Sequence, residues 1–226
     1  MRIVIVGLGG IGSILSEKLS RYLKHLQDEE FDMVFIDGDD YETKNLVRQE
    51  FATYGNKAEV KAAEIFNKFE IPVKAYPHFL NGDNIEALIK ENDIVMLCVD
   101  NHKTRRSVSY YCSMLDNITL ISGGNDYTDG NVQIYVRKNG QDITADLTTY
   151  HPEIKEAKDK SPEEMSCEEL EKSEPQLYFT NLTVAAIMCW VFYNIITRKE
   201  IVFGEVYFDI TTMSVSSRTR EPKKGE

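Results

Sequence analysis

Cysteine is scarce and scattered. The four residues, Cys98, Cys112, Cys167 and Cys189, stand far apart and form no CxxC pair. That argues against a disulfide framework and against an all-cysteine zinc site, and it fits a reducing, cytoplasmic compartment. The four histidines, His25, His78, His102 and His151, show no ligand spacing and read as surface or capping residues, so no structural zinc is expected. Positive charge is also short. The 26 Lys and Arg against 37 Asp and Glu leave a formal net charge of -11, which disfavours a duplex nucleic-acid partner. No apolar run is long. MRIVIVGLGG at the start is broken by glycine too early for a signal peptide. Leu182 to Ile196, the most apolar stretch, falls short of the roughly 20 residues a membrane span needs and reads as a buried core helix.

What remains is an ordinary globular composition, 42% apolar and 28% charged over 226 residues. It suits one soluble α/β domain covering residues 1–226. Ile3 to Val6 is a short β-branched run ending in glycine, the mark of a buried strand. Ser13 to Leu26 places Leu15, Leu19, Tyr22, Leu23 and Leu26 at helical spacing. Met33 to Ile36 is a second strand. Ala58 to Phe69 predicts a helix with Ala62, Ile65, Phe66 and Phe69 on one face. Val73 to Phe79 and Asp93 to Val99 follow as strands, then a helix over Lys103 to Leu115 and a strand over Thr119 to Ser122. This alternation implies βαβ units and a Rossmann-like, mostly parallel sheet. After Gly130 the pattern changes to antiparallel C-terminal strands: Val132 to Val136, then a hairpin from Val202 to Phe208 and Met213 to Ser217. Tyr150 to Pro175 is charged, lacks periodicity and predicts a long exposed loop.

Chemistry-bearing residues cluster at strand ends. Gly7, Gly9, Gly10 and Gly12 form GLGGIG between a strand and a helix, where glycine lets backbone approach a phosphate and the helix N-terminus adds partial positive charge. Asp37 ends the second strand, placed to accept ribose hydroxyls; Asp39 and Asp40 fit solvated turn positions. Asn45, Arg48, Gln49 and Lys57 come next. Arg48 and Lys57 are surface charges or a clamp for a triphosphate and its departing pyrophosphate. Two cations exceed what a dinucleotide site needs, which places an NAD-dependent dehydrogenase last among the alternatives. Asp100, followed by Asn101 and Arg105, ends the fourth strand. It fits either a helix cap or a magnesium ligand, and its convergence with Gly7 and Asp37 at carboxyl strand ends favours the metal.

GLGGIG, DGDDYETKNLVRQ, GNK and CVDNHKTR, in that order, resemble the ThiF/MoeB/HesA superfamily, which includes the nucleotide-binding domain of ubiquitin-activating enzymes. The resemblance is specific from Met1 to about Gly124. It extends to compact bacterial forms such as PRTRC-type ThiF proteins and ubiquitin-like conjugation modules. It implies that the glycine turn holds ATP, Asp37 the ribose, Asn45, Arg48 and Lys57 the phosphates, and Asp100 the magnesium; Gln49 and Asn101, next to Arg48 and Asp100, count among the cofactor-binding residues. It further implies adenylation of the C-terminal glycine carboxylate of a small ubiquitin-like or sulfur-carrier protein, by a homodimer. Residues from about 150 to 177 would form a crossover loop, and 178–218 a helix plus hairpin. Cys167, in MSCEELEKSEP, matches the place where a cysteine receives the activated carboxyl as a thioester; the glutamates around it oppose thiolate formation. Three departures stand out: a shorter segment between Arg48 and Lys57, no paired CxxC motifs, and no N-terminal helix to lend an arginine across a dimer. Two alternatives keep the fold: a noncatalytic partner subunit, and an enzyme adenylating a small molecule or an RNA base.

Overall fold

A computed structural model describes residues 1–26, 30–47, 49–160, 164, 176–201 and 203–222. Arg48 and Cys167 lie outside them. The first strand, β1 (Arg2–Val6), is central because Ile3, Val4, Ile5 and Val6 are apolar on both faces and β-branched. It pairs in parallel with β2 (Asp32–Ile36) on one side and β6 (Asp93–Leu97) on the other. β5 (Val73–Tyr76) extends the β2 side and β7 (Ile118–Asn125) the β6 side, also in parallel. The sheet then turns antiparallel through β8 (Asp129–Lys138), β10 (Glu205–Asp209) and β11 (Ser214–Arg218), giving the order β11-β10-β8-β7-β6-β1-β2-β5. β9 (Gln141–Asp142) pairs with β8, and β3 (Asp40–Tyr41) pairs with β4 (Gly55–Asn56) in a separate two-stranded sheet. The Rossmann-like, mostly parallel sheet with antiparallel C-terminal strands is thus as the sequence predicts.

Alternation along the strands divides the core in two. Ile3, Ile5, Met33, Phe35 and Met96 face α1 (Gly10–Leu23), α2 (Lys57–Phe69) and α6 (Tyr178–Phe192). Val4, Val6, Val34, Val95 and Leu97 face the side of α3 (Ile85–Leu88), α4 (His102–Ser113) and α5 (Pro152–Lys155). On the first side, α1 and α6 run parallel. Near their C-terminal ends Tyr22 meets Phe192 and Tyr193 edge-on, and its hydroxyl lies 2.6 Å from Thr197 Oγ1. Near their N-terminal ends Asn181 packs on Gly10. Both N-termini therefore lie at the edge of the sheet where β1 ends.

Several expectations need correction. On α2 Ala62, Ile65 and Phe69 pack inward as expected, joined by Ala58 and Lys61, while Phe66 is exposed. The helical period turns Phe66 about 100° away from Ile65, and the long Lys61 stem takes an inward position instead. The strand expected to reach Phe79 stops at Tyr76. The apolar helix is longer than expected. Together with the π turn Tyr193–Thr197 it spans 20 residues, with a mean hydropathy of 1.6 over an 18-residue window, enough by length and composition to cross a membrane. Its Val184, Ala185, Met188, Val191 and Phe192 are buried in the core, whereas Phe179, Trp190 and Tyr193 are exposed.

Candidate nucleotide site

Three adjacent strands deliver the site. Gly7 N donates to Ile36 O at 2.9 Å, Cys98 N to Val6 O at 2.8 Å and Asp37 N to Tyr76 O at 3.2 Å. These bonds carry the β-ladder one residue past the carboxyl ends of β1, β2 and β6, so the chain leaves all three strands side by side. Connections diverge to either side of β1 here, the topological switch point where open α/β sheets bind ligands.

Packing dictates the glycine turn. Gly7 has φ +87°, the left-handed region. A Cβ on Gly12 would lie 1.8 Å from Gly7 O, so only glycine lets the helix start this close to β1. Gly9 differs: the nearest atom to a Cβ there is Gln49 Nε2 at 3.9 Å. Its bare surface is open to a ligand rather than filled by the protein. α1 has no side-chain cap and no acidic residue in its first turn. Its N-terminal N–H groups and partial positive charge are thus left for an anion. This cradle fits the phosphates of ATP.

Asp37 is 8% exposed, and its carboxylate accepts Leu8 N at 2.5 Å and Asp39 N at 2.8 Å. Burial pushes its pKa up to about 6, against the opposing pull of Lys57 and of those two N–H groups. Each oxygen keeps a lone pair, as ribose hydroxyls require. Lys57, 7% exposed, begins α2 and donates from Nζ to Asp39 Oδ2 at 3.0 Å. Asp39 is therefore a half-exposed turn residue that also pairs with Lys57. Asn45 is buried, accepting Glu42 N on Oδ1 at 2.9 Å, and Gln49 N donates to Asn45 O. Gln49 is also buried, and its Oε1 has no partner among the described residues.

Asp100 is exposed just beyond β6. The cap of α4 is Asn101, whose Oδ1 accepts Thr104 N at 2.8 Å. The capping alternative thus falls to Asn101, and Asp100 is free of that role. Behind it Arg105 is buried, donating to Val99 O at 2.8 Å and Gly123 O at 3.0 Å. Burial lowers its pKa, and the charge of Asp100 is the largest influence opposing that. The described residues contain no group of three or more Asp, Glu, His or Cys able to hold a metal. A lone carboxylate still fits magnesium, which keeps most of its water and takes further oxygens from phosphates.

Two residues that the sequence reading passed over hold this site together. Tyr41 stacks on Phe51 at 4.4 Å and donates to Leu8 O at 2.9 Å, bracing the glycine turn. Asn56 caps α2 through Ala58 N and Glu59 N while donating to Asp37 O and Asp39 O, which fixes Lys57 beside Asp37. The Asn-Lys step before a helical run is the N-cap signal that could have identified Asn56. Cys98, Cys112 and Cys189 are the free cysteines among the described residues. Burial pushes the thiols of Cys112 and Cys189 up to about 12 and about 11, so both are inert.

The long loop begins beside the site. Asp159 accepts His102 N at 2.5 Å, and Lys103 pairs with Glu164, so residues 159 and 164 lie against the N-terminus of α4. The start of the loop is anchored by a buried carboxylate. Glu205 accepts His151 Nε2 at 2.8 Å, Asn131 Nδ2 at 2.7 Å and Arg220 Nε at 2.8 Å, while His151 Nδ1 meets Glu153 at 2.6 Å. His151 is thus no simple surface residue. Burial disfavours its protonation, but Glu205 and Glu153 outweigh that and raise its pKa. Burial likewise opposes ionisation of Glu205, yet His151 and Arg220 hold its pKa below the usual carboxylate range. The linkage signs follow. The Glu205 contribution to stability is lost as pH falls through its lowered pKa. The His151 contribution is present below the ordinary histidine pKa and lost as pH rises through the raised one. His151→Gln should therefore cost about 2 kcal/mol at pH 6, and the deficit should shrink as the wild type loses its proton at alkaline pH. Unfolding midpoints of both proteins across that range measure it; a pH-independent difference would remove His151 from the network's charge balance.

A glycine turn, the buried Asp37 and Lys57 and the exposed Asp100 meet at one switch point of a Rossmann-like domain. A model of the ThiF family matches residues 1–226, and the chain belongs to that family. It is similar to the molybdopterin-synthase adenylyltransferase of Escherichia coli (strain K12), 28% identical over 146 residues that cover 62% of this chain and 55% of that protein. It is also similar to the adenylyltransferase and sulfurtransferase UBA4 of Candida albicans, 29% identical over 139 residues, 59% of this chain and 30% of that one. The chain thus spans only about a third to a half of these relatives. Among solved structures, E. coli MccB with ATP shares the fold at a TM-score of 0.72 and 21% identity, covering 98% of this chain and 64% of that one.

Proposed function

We propose that this chain is an ATP-dependent adenylyltransferase that activates the C-terminal glycine carboxylate of a small ubiquitin-like or sulfur-carrier protein. The observation that carries this reading is the convergence of Gly9, Asp37, Lys57 and Asp100 on one edge of the sheet. The relatives named for adenylyl transfer support it. The glycine turn and the N-terminus of α1 receive the phosphates, Asp37 the ribose, and Asn45, Arg48, Gln49 and Lys57 the charge of the β- and γ-phosphates. Magnesium held at Asp100, with Asn101 alongside, would supply Lewis-acid neutralisation of that charge. A substrate carboxylate oxygen attacks the α-phosphorus, the bond to the bridging oxygen breaks, and pyrophosphate leaves with the electron pair. Lys57 and Arg48 stabilise the departing charge. The test is exchange of labelled pyrophosphate into ATP, dependent on a small protein ending in glycine. ATP binding without exchange, for any such partner, would favour the noncatalytic subunit instead.

We extend this reading to a cytoplasmic homodimer of single-domain chains. The exposed Phe179, Trp190 and Tyr193 on α6 and its π turn supply apolar surface for a second copy. Light scattering at micromolar concentration should give twice the chain mass of 25.9 kDa; a monomer would refute it. Transfer of the acyl group to the Cys167 thiol is the second proposed step: a thioester forms and AMP leaves. With ATP and the partner, a thiol-sensitive adduct should appear on a nonreducing gel and vanish in Cys167→Ala while pyrophosphate exchange persists. An adduct that survives in Cys167→Ala would exclude this role.

A further inference from the structure

Asn181, in the first turn of α6, is 0% exposed. Its amide lies flat against the glycine turn: a Cβ on Gly10 would fall 2.2 Å from Asn181 Nδ2 and 2.8 Å from its Cγ. Nothing among the described residues satisfies Asn181 Oδ1, and Nδ2 reaches only Gln176 Oε1, at 3.4 Å. A buried carboxamide left in this state is less stable than a satisfied one, and such groups in folded proteins call for a reason beyond packing. Gln49 repeats the pattern from the opposite side. It is 3% exposed, its Oε1 has no partner, and its Nε2 is the atom nearest the bare face of Gly9. The two segments are tied together, because Tyr178 donates to Glu50 Oε1 at 2.9 Å. Two buried, under-satisfied carboxamides thus bracket the two glycines over which the phosphates would lie. One of them sits on the helix that starts where the long loop ends.

We infer that Asn181 is a positioning residue for the glycine turn: its amide wedges against Gly10, sets the path of the turn beneath the nucleotide phosphates, and ties that path to the end of the loop at Gln176. This rests on the ATP reading of the site. Apolar packing alone would be served better by leucine, which is similar in shape and brings no unsatisfied oxygen into the core. Retaining an amide here favours the turn at the expense of stability. Opposite signs follow for the two properties.

The experiment uses the whole chain without any partner protein and measures ATP and adenosine binding together with thermal unfolding. Asn181→Leu should unfold at or above the wild-type temperature yet bind ATP about tenfold more weakly, with adenosine affinity unchanged because Asp37 is untouched. Asn181→Asp, isosteric but anionic, should weaken ATP at least as much and serves if the leucine variant does not fold. ATP affinity within twofold of wild type in both variants would overturn the inference. So would a loss of ATP affinity that appears equally for adenosine, or only alongside a lowered unfolding temperature. Wild-type protein that binds no ATP would instead overturn the nucleotide reading itself, and the role of Asn181 with it.

Discussion

Asp100→Ala is expected to lower partner-dependent pyrophosphate exchange by about 100-fold to 1000-fold, the size of effect seen when one group stabilising transition-state charge is removed. The structure separates this loss from unfolding. Asp100 is exposed and caps nothing, since Asn101 holds the N-terminus of α4. Arg105 behind it keeps its bonds to Val99 O and Gly123 O. Stability should stay within about 0.5 kcal/mol, as for surface substitutions generally. Arg48→Ala should lose exchange comparably, by removing charge that opposes the pyrophosphate. Exchange within threefold of wild type in both variants would dissolve the site assignment.

Gly12→Ala should be the most damaging single methyl group in the nucleotide half. The added Cβ would lie 1.8 Å from Gly7 O and 2.9 Å from Gly7 C, both backbone atoms of the same turn. No rotamer change relieves a backbone clash, so α1 must back away from β1 and the turn must open. Overpacking of this kind costs about 3 kcal/mol, which for a chain of this size lowers the unfolding midpoint by roughly 6–12 °C. ATP binding should be lost even where the protein remains folded, because the N–H groups of the turn no longer converge. Calorimetry with and without ATP reads both effects. A variant with wild-type affinity would mean that this turn does not hold the phosphates. Gly9→Ala is a useful contrast: its Cβ meets only Gln49 Nε2, at 3.9 Å. It should fold normally and impair binding alone.

The nucleotide half was legible because its signals are local. A β-branched run followed by GLGGIG can hardly be anything but strand, turn and helix, and Asp37 and Asp100 mark the ends of apolar runs. Local signals also explain the failures. Phe66 was placed in the core because it is apolar, although its helical angle turns it outward. The Asp39–Lys57 ion pair was not legible in DGDD, because only the pairing of β3 with β4 brings the two together. The Glu205 cluster joins residues 131, 151, 205 and 220, and no spacing pattern links positions so far apart. His151, read as a surface or capping residue, does stand at the N-cap of α5, but its place in this cluster was not legible. Asn181 was invisible for the same reason: its neighbour Gly10 is 171 positions away, and only the parallel packing of α1 and α6 brings them together.

That packing also orders events during synthesis. The strands from β1 to β7 and the helices α1 and α2 are all made before the chain passes residue 125. The helix that covers the same face beside α1 starts at Tyr178, and the last antiparallel strands follow it. Until Val184 and Met188 emerge, the strip of sheet around Gly123 that they pack against has no cover. A growing chain that ends between residues 130 and 190 therefore leaves the apolar face beside α1 uncovered, a state prone to association with other nascent chains. Chains stalled or truncated before α6 should collect as aggregates or with chaperones, and the glycine turn is braced from the α6 side only once that helix has been made.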